Sequence, residues 1–297
     1  MYPKTFEYFS PRTVDEAIAL LTQYGEDAKL LAGGQSLIPL MKLRMSSPRY
    51  VVDMNRIEGM SGIRDQGGVM TFGALTCHAD VEESAAVKAK LPIMHDTACV
   101  IGDVQIRNRG TIGGSMAHAD PGGDWPPTLL ALGAKVKCRG PKGERIVAVD
   151  DLLQDAYVTS IGGNEVLTEV QVPLPPAGSG GAYIKFERKA GDFAVASVAV
   201  QVTLKSDGTC NEIGIGLGAV GLRAIKAAKA EALLRGRKAT DDLIRQAATS
   251  VSAESDPFAD TRGPEDYKRH LVGVLFVRAM SIALRRARGE AVETAHV

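Results

Sequence analysis

The residues best placed to do chemistry are two short glycine-rich segments some eighty positions apart, Ala32-Gly33-Gly34-Gln35-Ser36 and Thr111-Ile112-Gly113-Gly114-Ser115. Glycine permits positive φ and close backbone approach, so consecutive amides can turn inward as an anion-binding nest. One Gly-Gly pair is more often an ordinary loop. Two in one chain, each followed by a serine, point to a grip on two linked phosphates. Behind the second segment, His118-Ala119-Asp120-Pro121-Gly122-Gly123-Asp124 leads into Trp125-Pro126-Pro127. Three readings stand open there: hydrogen bonds to the hydroxyls of a sugar-like ligand, a metal set of His118, Asp120 and Asp124, or Asp124 as the N-cap of a proline-led helix.

Other motifs are weaker. Gly216-Leu217-Gly218-Ala219-Val220-Gly221 fits the dinucleotide fingerprint, but a Rossmann unit needs a second parallel strand ending in an acidic residue about twenty positions on. A Lys/Arg/Ala-rich helical stretch follows instead, so the segment reads as a glycine-rich antiparallel strand. The G-x-x-x-x-G-K-[ST] phosphate loop is absent, and Ile38 stands where a nucleophile elbow opened by Gly34-Gln35-Ser36 needs its last glycine. Cys77, Cys99, Cys138 and Cys210 form no C-x-x-C pair, which suggests no disulfide framework, zinc site or iron-sulfur site. No catalytic nucleophile or acid-base pair stands out, so no catalytic residue and no metal ligand is expected.

The elements that must hold these segments follow from length and patterning. At 297 residues the chain has room for two domains. Lys+Arg and Asp+Glu are both 35, which leaves no net field to hold a nucleic acid. The longest apolar runs, Phe193–Val200 and Val272–Val277, fall short of the roughly 20 residues of a membrane span. Met1 opens into no signal-like sequence, so a cytoplasmic protein is expected. Thr13 and Glu16 have capping-box spacing ahead of a helix ending at Gly25. Strands are expected at Lys29–Ala32, Tyr50–Met54, Met70–Gly73, Lys135–Cys138, Arg145–Val149 and Val166–Val172, and helices after Thr76, around Pro92–Val100 and at Pro127–Leu132. Pro173, Pro175, Pro176 and Gly178-Ser179-Gly180-Gly181 read as a linker, supporting neither helix nor ladder. Beyond it, Ala182–Arg188, Val195–Leu204 and Asn211–Gly218 read as an antiparallel sheet with a hairpin at Asp207-Gly208. Three helices near Ala224–Leu234, from Thr240, and from Pro264 to Gly289 close the chain.

In these residues the chain resembles the medium, FAD-binding subunits of molybdenum hydroxylases, and among them those of aerobic carbon monoxide dehydrogenases. The likeness covers essentially the whole chain. It rests on the run from Lys29 to Lys42, on Thr111 to Ser115 with Ala119-Asp120-Pro121 and Asp124, and on Lys189-Ala190-Gly191-Asp192-Phe193-Ala194. It implies an α+β fold: a two-subdomain FAD-binding domain of the vanillyl-alcohol-oxidase (PCMH) type at residues 1–176, then a smaller sheet-plus-helices domain at residues 177–297, like the carbon monoxide dehydrogenase flavoprotein C-terminal domain. By the resemblance, Leu30, Leu31, Ala32, Gly33, Gly34, Gln35, Ser36 and Leu37, with Thr111, Ile112, Gly113, Gly114 and Ser115, wrap the FAD diphosphate. Asp124 hydrogen-bonds the cofactor, Ile101, Leu167 and Lys185 line the flavin, and Phe193 lies where the carbon monoxide enzymes set an aromatic residue, often Tyr, against the isoalloxazine ring. Gln35 stands where those enzymes are expected to carry His.

The implied partners are a large molybdenum-binding subunit that oxidises the substrate and a small subunit that relays electrons through iron-sulfur clusters, in a dimer of heterotrimers. FAD would then pass the electrons to quinone, NAD or oxygen, and the hard chemistry would belong to the cofactor. A self-sufficient FAD oxidoreductase of the same fold is the alternative. A nucleotide-binding module without redox function is a third reading.

Overall fold

Short apolar runs set the first layer, aromatic or β-branched in two of its strands and leucine-rich in the third. In the computed structural model, which describes residues 2–294, β1 (Glu7–Phe9), β2 (Ala28–Leu31) and β3 (Tyr50–Asp53) pair in parallel in the order β1-β3-β2. Helix α1 (Val14–Tyr24) makes the first crossover and buries Ala17, Ile18 and Leu21 on one face. Its N-cap is half of the expected box: Thr13 Oγ1 accepts from the Glu16 amide, but Glu16 reaches back to the Arg12 amide rather than to Thr13. Helix α2 (Leu37–Lys42) follows β2.

The second layer is an antiparallel sheet. Its strands are β4 (Ile63–Gln66), β5 (Val69–Gly73), β6 (Lys135–Gly140) and β7 (Gly143–Ala148); after the small hairpin of β8 (Leu153–Asp155) and β9 (Val158–Thr159) comes β10 (Val166–Pro173). The order is β4-β5-β10-β6-β7. Six helices lie between β5 and β6: α3 (His78–Glu83), α4 (Ala85–Lys90), α5 (Pro92–Cys99), α6 (Val104–Arg107), α7 (Ile112–His118) and α8 (Trp125–Ala131), with α9 (Val149–Leu152) after β7.

The third layer is the antiparallel sheet β11 (Ser179–Phe186), β12 (Ala196–Leu204), β13 (Cys210–Gly218) and β14 (Ile225–Lys226), followed by α10 (Ala228–Leu234), α11 (Asp241–Glu254) and α12 (Glu265–Ala287). Here the expected linker is shorter than the composition suggests. Pro173 is the last residue of β10, and Ser179, Gly180 and Gly181 pair with Thr203, Val202 and Gln201. The glycines serve packing: a β-carbon at Gly180 would collide with the Ala283 carbonyl of α12.

Because successive strand residues point to opposite faces, this sheet is shared between two cores. Ile184, Val198, Val200, Ile213, Ile215 and Leu217 face α10, α11 and α12, whereas Tyr183 and Ala199 join the core of the first half. The inner face of β13 is a stripe of glycines. Side chains at Gly214 and Gly216 would strike the carbonyls of Ala131 and Pro127, so α8 lies directly on the strand backbone. The segment that fits a dinucleotide fingerprint is thus a packing surface in an antiparallel strand.

One buried ion pair ties α12 to α5. Arg286 Nη1 donates to Asp96 Oδ2 at 2.6 Å and to the Gly181 carbonyl at 2.6 Å, and Arg286 Nη2 donates to Asp96 Oδ1 at 3.1 Å. Asp96 is 3% exposed. Removing one partner of such a pair leaves a buried charge uncompensated, which costs about 3–5 kcal/mol. Arg286→Met is therefore expected to lower unfolding stability by roughly that amount in urea titrations, and Arg286→Lys by less.

Candidate cofactor-binding site

β2 delivers the chain to a cleft, and Gly34, at φ 75°, turns it into α2. Among the described residues the amides of Gly33, Gly34, Gln35 and Ser36 meet no acceptor in the protein, and Gly33 is buried. A buried N–H left unpaired costs about 1–3 kcal/mol. A run of such donors fits an oxyanion from outside the chain, and the diphosphate of FAD is a ligand of that kind. The loop is held from behind. Asn55 Nδ2 donates to the Ala32 carbonyl at 3.0 Å, Asp53 Oδ1 accepts from the Asn55 amide at 2.9 Å, and Tyr8 OH donates to Asp53 Oδ2 at 2.5 Å.

The second glycine pair does something else. Thr111 is the N-cap of α7, and Gly113 and Gly114 sit in its first turn with negative φ. The amides of Ile112, Gly113, Gly114 and Ser115 are already taken, by Thr76 O, Ala74 O, Thr111 Oγ1 and Thr111 O at 3.1, 2.9, 3.1 and 3.0 Å. The expected pair of nests is one nest and one wall. Glycine is needed in the wall for contact. A β-carbon on Gly113 would lie 2.6 Å from the Ala74 carbonyl oxygen, and one on Gly33 would fall on the Arg109 carbonyl and 2.9 Å from Gly110 Cα.

Asp124 closes the far end. It occupies the N-cap position of α8 but makes no capping bond. Its carboxylate turns inward, accepting from Tyr183 OH at 2.6 Å and from Lys185 Nζ at 3.3 Å. Burial pushes its pKa up, against the pull of the Lys185 charge and the Tyr183 hydrogen bond. Lys185 also donates to the Val100 carbonyl at 3.0 Å and lies 3.1 Å from Glu187 Oε2. Burial and the Asp124 charge hold the Tyr183 hydroxyl far above its ordinary range, so it remains a donor. His118 Nε2 lies 3.9 Å from Asp120 Oδ2, but Asp124 is turned away to Tyr183 and Lys185, and no group of three metal-ligand side chains occurs among the described residues. Asp120 instead accepts from the Gly122 amide at 2.9 Å and from Tyr157 OH at 3.3 Å.

The cleft so enclosed has a volume of 520 Å³, within the usual 300–1,000 Å³ of a ligand site. Of the residues expected at the cofactor, all but Leu31 and Ile112 line it. Ile112 is fully buried in the first core, and Leu31 is half-buried at the end of β2. Ile101 and Leu167 supply apolar wall, and Phe193, 49% exposed, stands at the mouth under the Arg262 guanidinium, 5.8 Å from its ring centre. The sequence reading missed His78 and Tyr157, which also line the cleft. Neither carries a motif. His78 is 5% exposed, its Nδ1 accepts from Trp125 Nε1 at 3.0 Å, and burial, then the Arg107 charge, lowers its pKa to about 4.

The fold and the cleft define a flavin-binding subunit, and comparison with known proteins agrees. The chain matches the family model described as FAD binding domain in molybdopterin dehydrogenase over residues 4–175, and CO dehydrogenase flavoprotein C-terminal domain over residues 181–283. It is 42% identical to the carbon monoxide dehydrogenase medium chain of Hydrogenophaga pseudoflava, over 96% of this chain and 99% of that relative. It is 40% identical to the 6-hydroxypseudooxynicotine dehydrogenase complex subunit alpha of Paenarthrobacter nicotinovorans, over 97% of each. A solved structure of carbon monoxide dehydrogenase from Hydrogenophaga pseudoflava, lacking the Mo-pyranopterin moiety of its cofactor, superposes with a TM-score of 0.94 at 44% identity, covering 96% of this chain and 99% of that one. The chain belongs to the FAD-binding medium subunits of the molybdenum hydroxylases, a family of oxidoreductase subunits.

The depressed pKa of His78 has a consequence for stability. Above pH 6.5 the residue is neutral in both the folded and the unfolded chain. Between pH 6.5 and about 4 only the unfolded chain takes up the proton, so stability falls with pH, by roughly 3 kcal/mol in all. In His78→Leu this loss is absent. The stability gap between the wild type and His78→Leu should therefore shift against the wild type as unfolding is measured from pH 7 down to pH 4.5, and a gap constant over that range would contradict the assignment.

Proposed function

We propose that this chain passes electrons from iron-sulfur clusters in a small partner subunit, through its own FAD, to an external acceptor, while a large molybdenum-binding subunit oxidises the substrate. The observation that carries this reading is the run of unpaired amides from Gly33 to Ser36 along one wall of the cleft. Bound there, FAD would accept and release electrons, and the chain's part is to hold and surround it. The nest and Ser36 would hold the diphosphate from one side, with Thr111 and Ser115 on the facing wall. Asp124 and Lys185 would present a fixed, buried polar pair, and Phe193 would cover the ring system at the mouth. In this proposal residues 1–176 are the FAD-binding domain and residues 177–297 the second domain, which contributes Tyr183, Lys185 and Phe193. The complex is a dimer of heterotrimers in the cytoplasm. No helix among the described residues is long and apolar enough to cross a membrane.

The names of the relatives support the division of labour. One is a carbon monoxide dehydrogenase chain and another belongs to a 6-hydroxypseudooxynicotine dehydrogenase complex, yet both align along nearly the whole chain at similar identity. One subunit architecture shared by dehydrogenases named for such different substrates fits a role that does not include recognising the substrate.

Two outcomes check this reading. The purified chain should carry about one FAD, released into the supernatant on denaturation, and Gly33→Val should lose it. Under anaerobic conditions, oxidisable substrates should bleach the flavin only when the molybdenum and iron-sulfur partners are present. Rapid bleaching in the lone subunit would instead identify a self-sufficient FAD enzyme, and a chain that stays colourless after FAD is added would remove the cofactor claim.

A further inference from the structure

His78 is not among the residues that the glycine motifs or the family likeness assign to the cofactor, yet its geometry is that of a prepared donor. It begins α3, and its amide donates to the Gly110 carbonyl at 3.0 Å. Its ring lies against Gly110 so closely that a β-carbon there would sit 2.7 Å from Nε2. Only glycine at 110 leaves room for the ring at this wall. The indole N–H of Trp125 can only donate, so the 3.0 Å bond to His78 Nδ1 makes that nitrogen the acceptor. In a neutral imidazole the proton is then on Nε2. Nε2 has no hydrogen-bond partner among the described residues, although His78 is 5% exposed and lines the cleft. Trp125 is fully buried and heads the helix that carries Asp124 at its N-cap, so the indole does not move to accommodate the ring.

We infer that His78 donates a hydrogen bond from Nε2 to an oxygen of the bound cofactor, and that Trp125 sets the tautomer which makes this donor available. The inference rests on the FAD reading above. A neutral N–H facing a phosphate or a ribityl hydroxyl is the chemistry in question. A low pKa keeps the ring neutral over the working range, so the donor is constant in charge.

The test uses the full chain stripped of flavin and titrated with FAD. His78→Asn retains an acceptor toward Trp125 and removes the donor toward the cleft, whereas His78→Gln retains a donor at the reach of Nε2 and loses the acceptor. We expect His78→Asn to keep the wild-type fold and the emission of Trp125, the chain's one tryptophan, while its Kd for FAD rises about tenfold, as expected for one lost hydrogen bond. His78→Gln should recover part of the affinity. In the unsubstituted chain, ¹⁵N spectra of the imidazole should show the proton on Nε2 before and after FAD, with the Nε2 resonance displaced on binding. Parallel titrations locate the oxygen: a loss seen with ADP puts it on the diphosphate, and a loss seen with FMN but not with ADP puts it on the ribityl chain. Equal FAD affinities for wild type and His78→Asn, or an Nε2 resonance unmoved by FAD, would overturn the inference and leave the cofactor reading intact. A wild-type chain that binds no FAD would overturn both.

Discussion

Four successive backbone N–H groups without acceptors, from Gly33 to Ser36, are the constraint around which the first half of the molecule is arranged. Folding leaves them unpaired, and Gly33 is buried while carrying one of them. Such a loop stays open only if its surroundings prevent collapse onto a neighbouring carbonyl. Parallel pairing of β2 with β3 fixes where the loop begins, and Asn55, oriented by Asp53 and Tyr8, holds the Ala32 carbonyl from behind. The facing segment approaches so closely that a side chain on Gly33 would strike the Arg109 carbonyl, while Gly110 is kept bare by the His78 ring behind it. In the proposed complex the cost of the unpaired amides would be recovered when the oxyanions of the FAD diphosphate bind.

The other half supplies what a backbone nest cannot. Strand alternation sends one set of β11 side chains into the α12 core and the next, Tyr183 and Lys185, toward α5 and α8. The bond from Lys185 to the Val100 carbonyl, and the Arg286–Asp96 pair beside it, lock that sheet to the first half. The glycine stripe on β13 lets α8 settle on the strand, and α8 in turn sets the position of Asp124. The site thus depends on contacts between elements far apart in the chain.

This explains which parts of the account could be read from the sequence. The longer helices and most strands were legible because their patterning is local, as in α1 between Thr13 and Gly25 and α11 after its Thr240 cap, whereas short helices such as α2, α6 and α7 have too few turns to show a period. The glycine pairs were visible, but their roles were not. Glycine at positive φ and glycine at a close contact look identical in a sequence, and only Gly34 of the two pairs is of the first kind. The same ambiguity hid the start of β11, whose opening Ser179-Gly180-Gly181 resembles a flexible linker until α12 is seen lying on it. His78 gave no signal, because its partner Trp125 stands 47 positions away and its opening into the cleft depends on a glycine in a third segment.

In the proposed complex one glycine segment holds an anionic cofactor through its amides, while the other is a wall whose amides are already bonded. Amide hydrogen exchange resolved by residue, with and without FAD, tests this directly. FAD is expected to slow exchange strongly at Gly33, Gly34, Gln35 and Ser36, and to change it little at Ile112, Gly113, Gly114 and Ser115, which are protected beforehand. Protection appearing on FAD addition at residues 112–115, with none at residues 33–36, would contradict this arrangement.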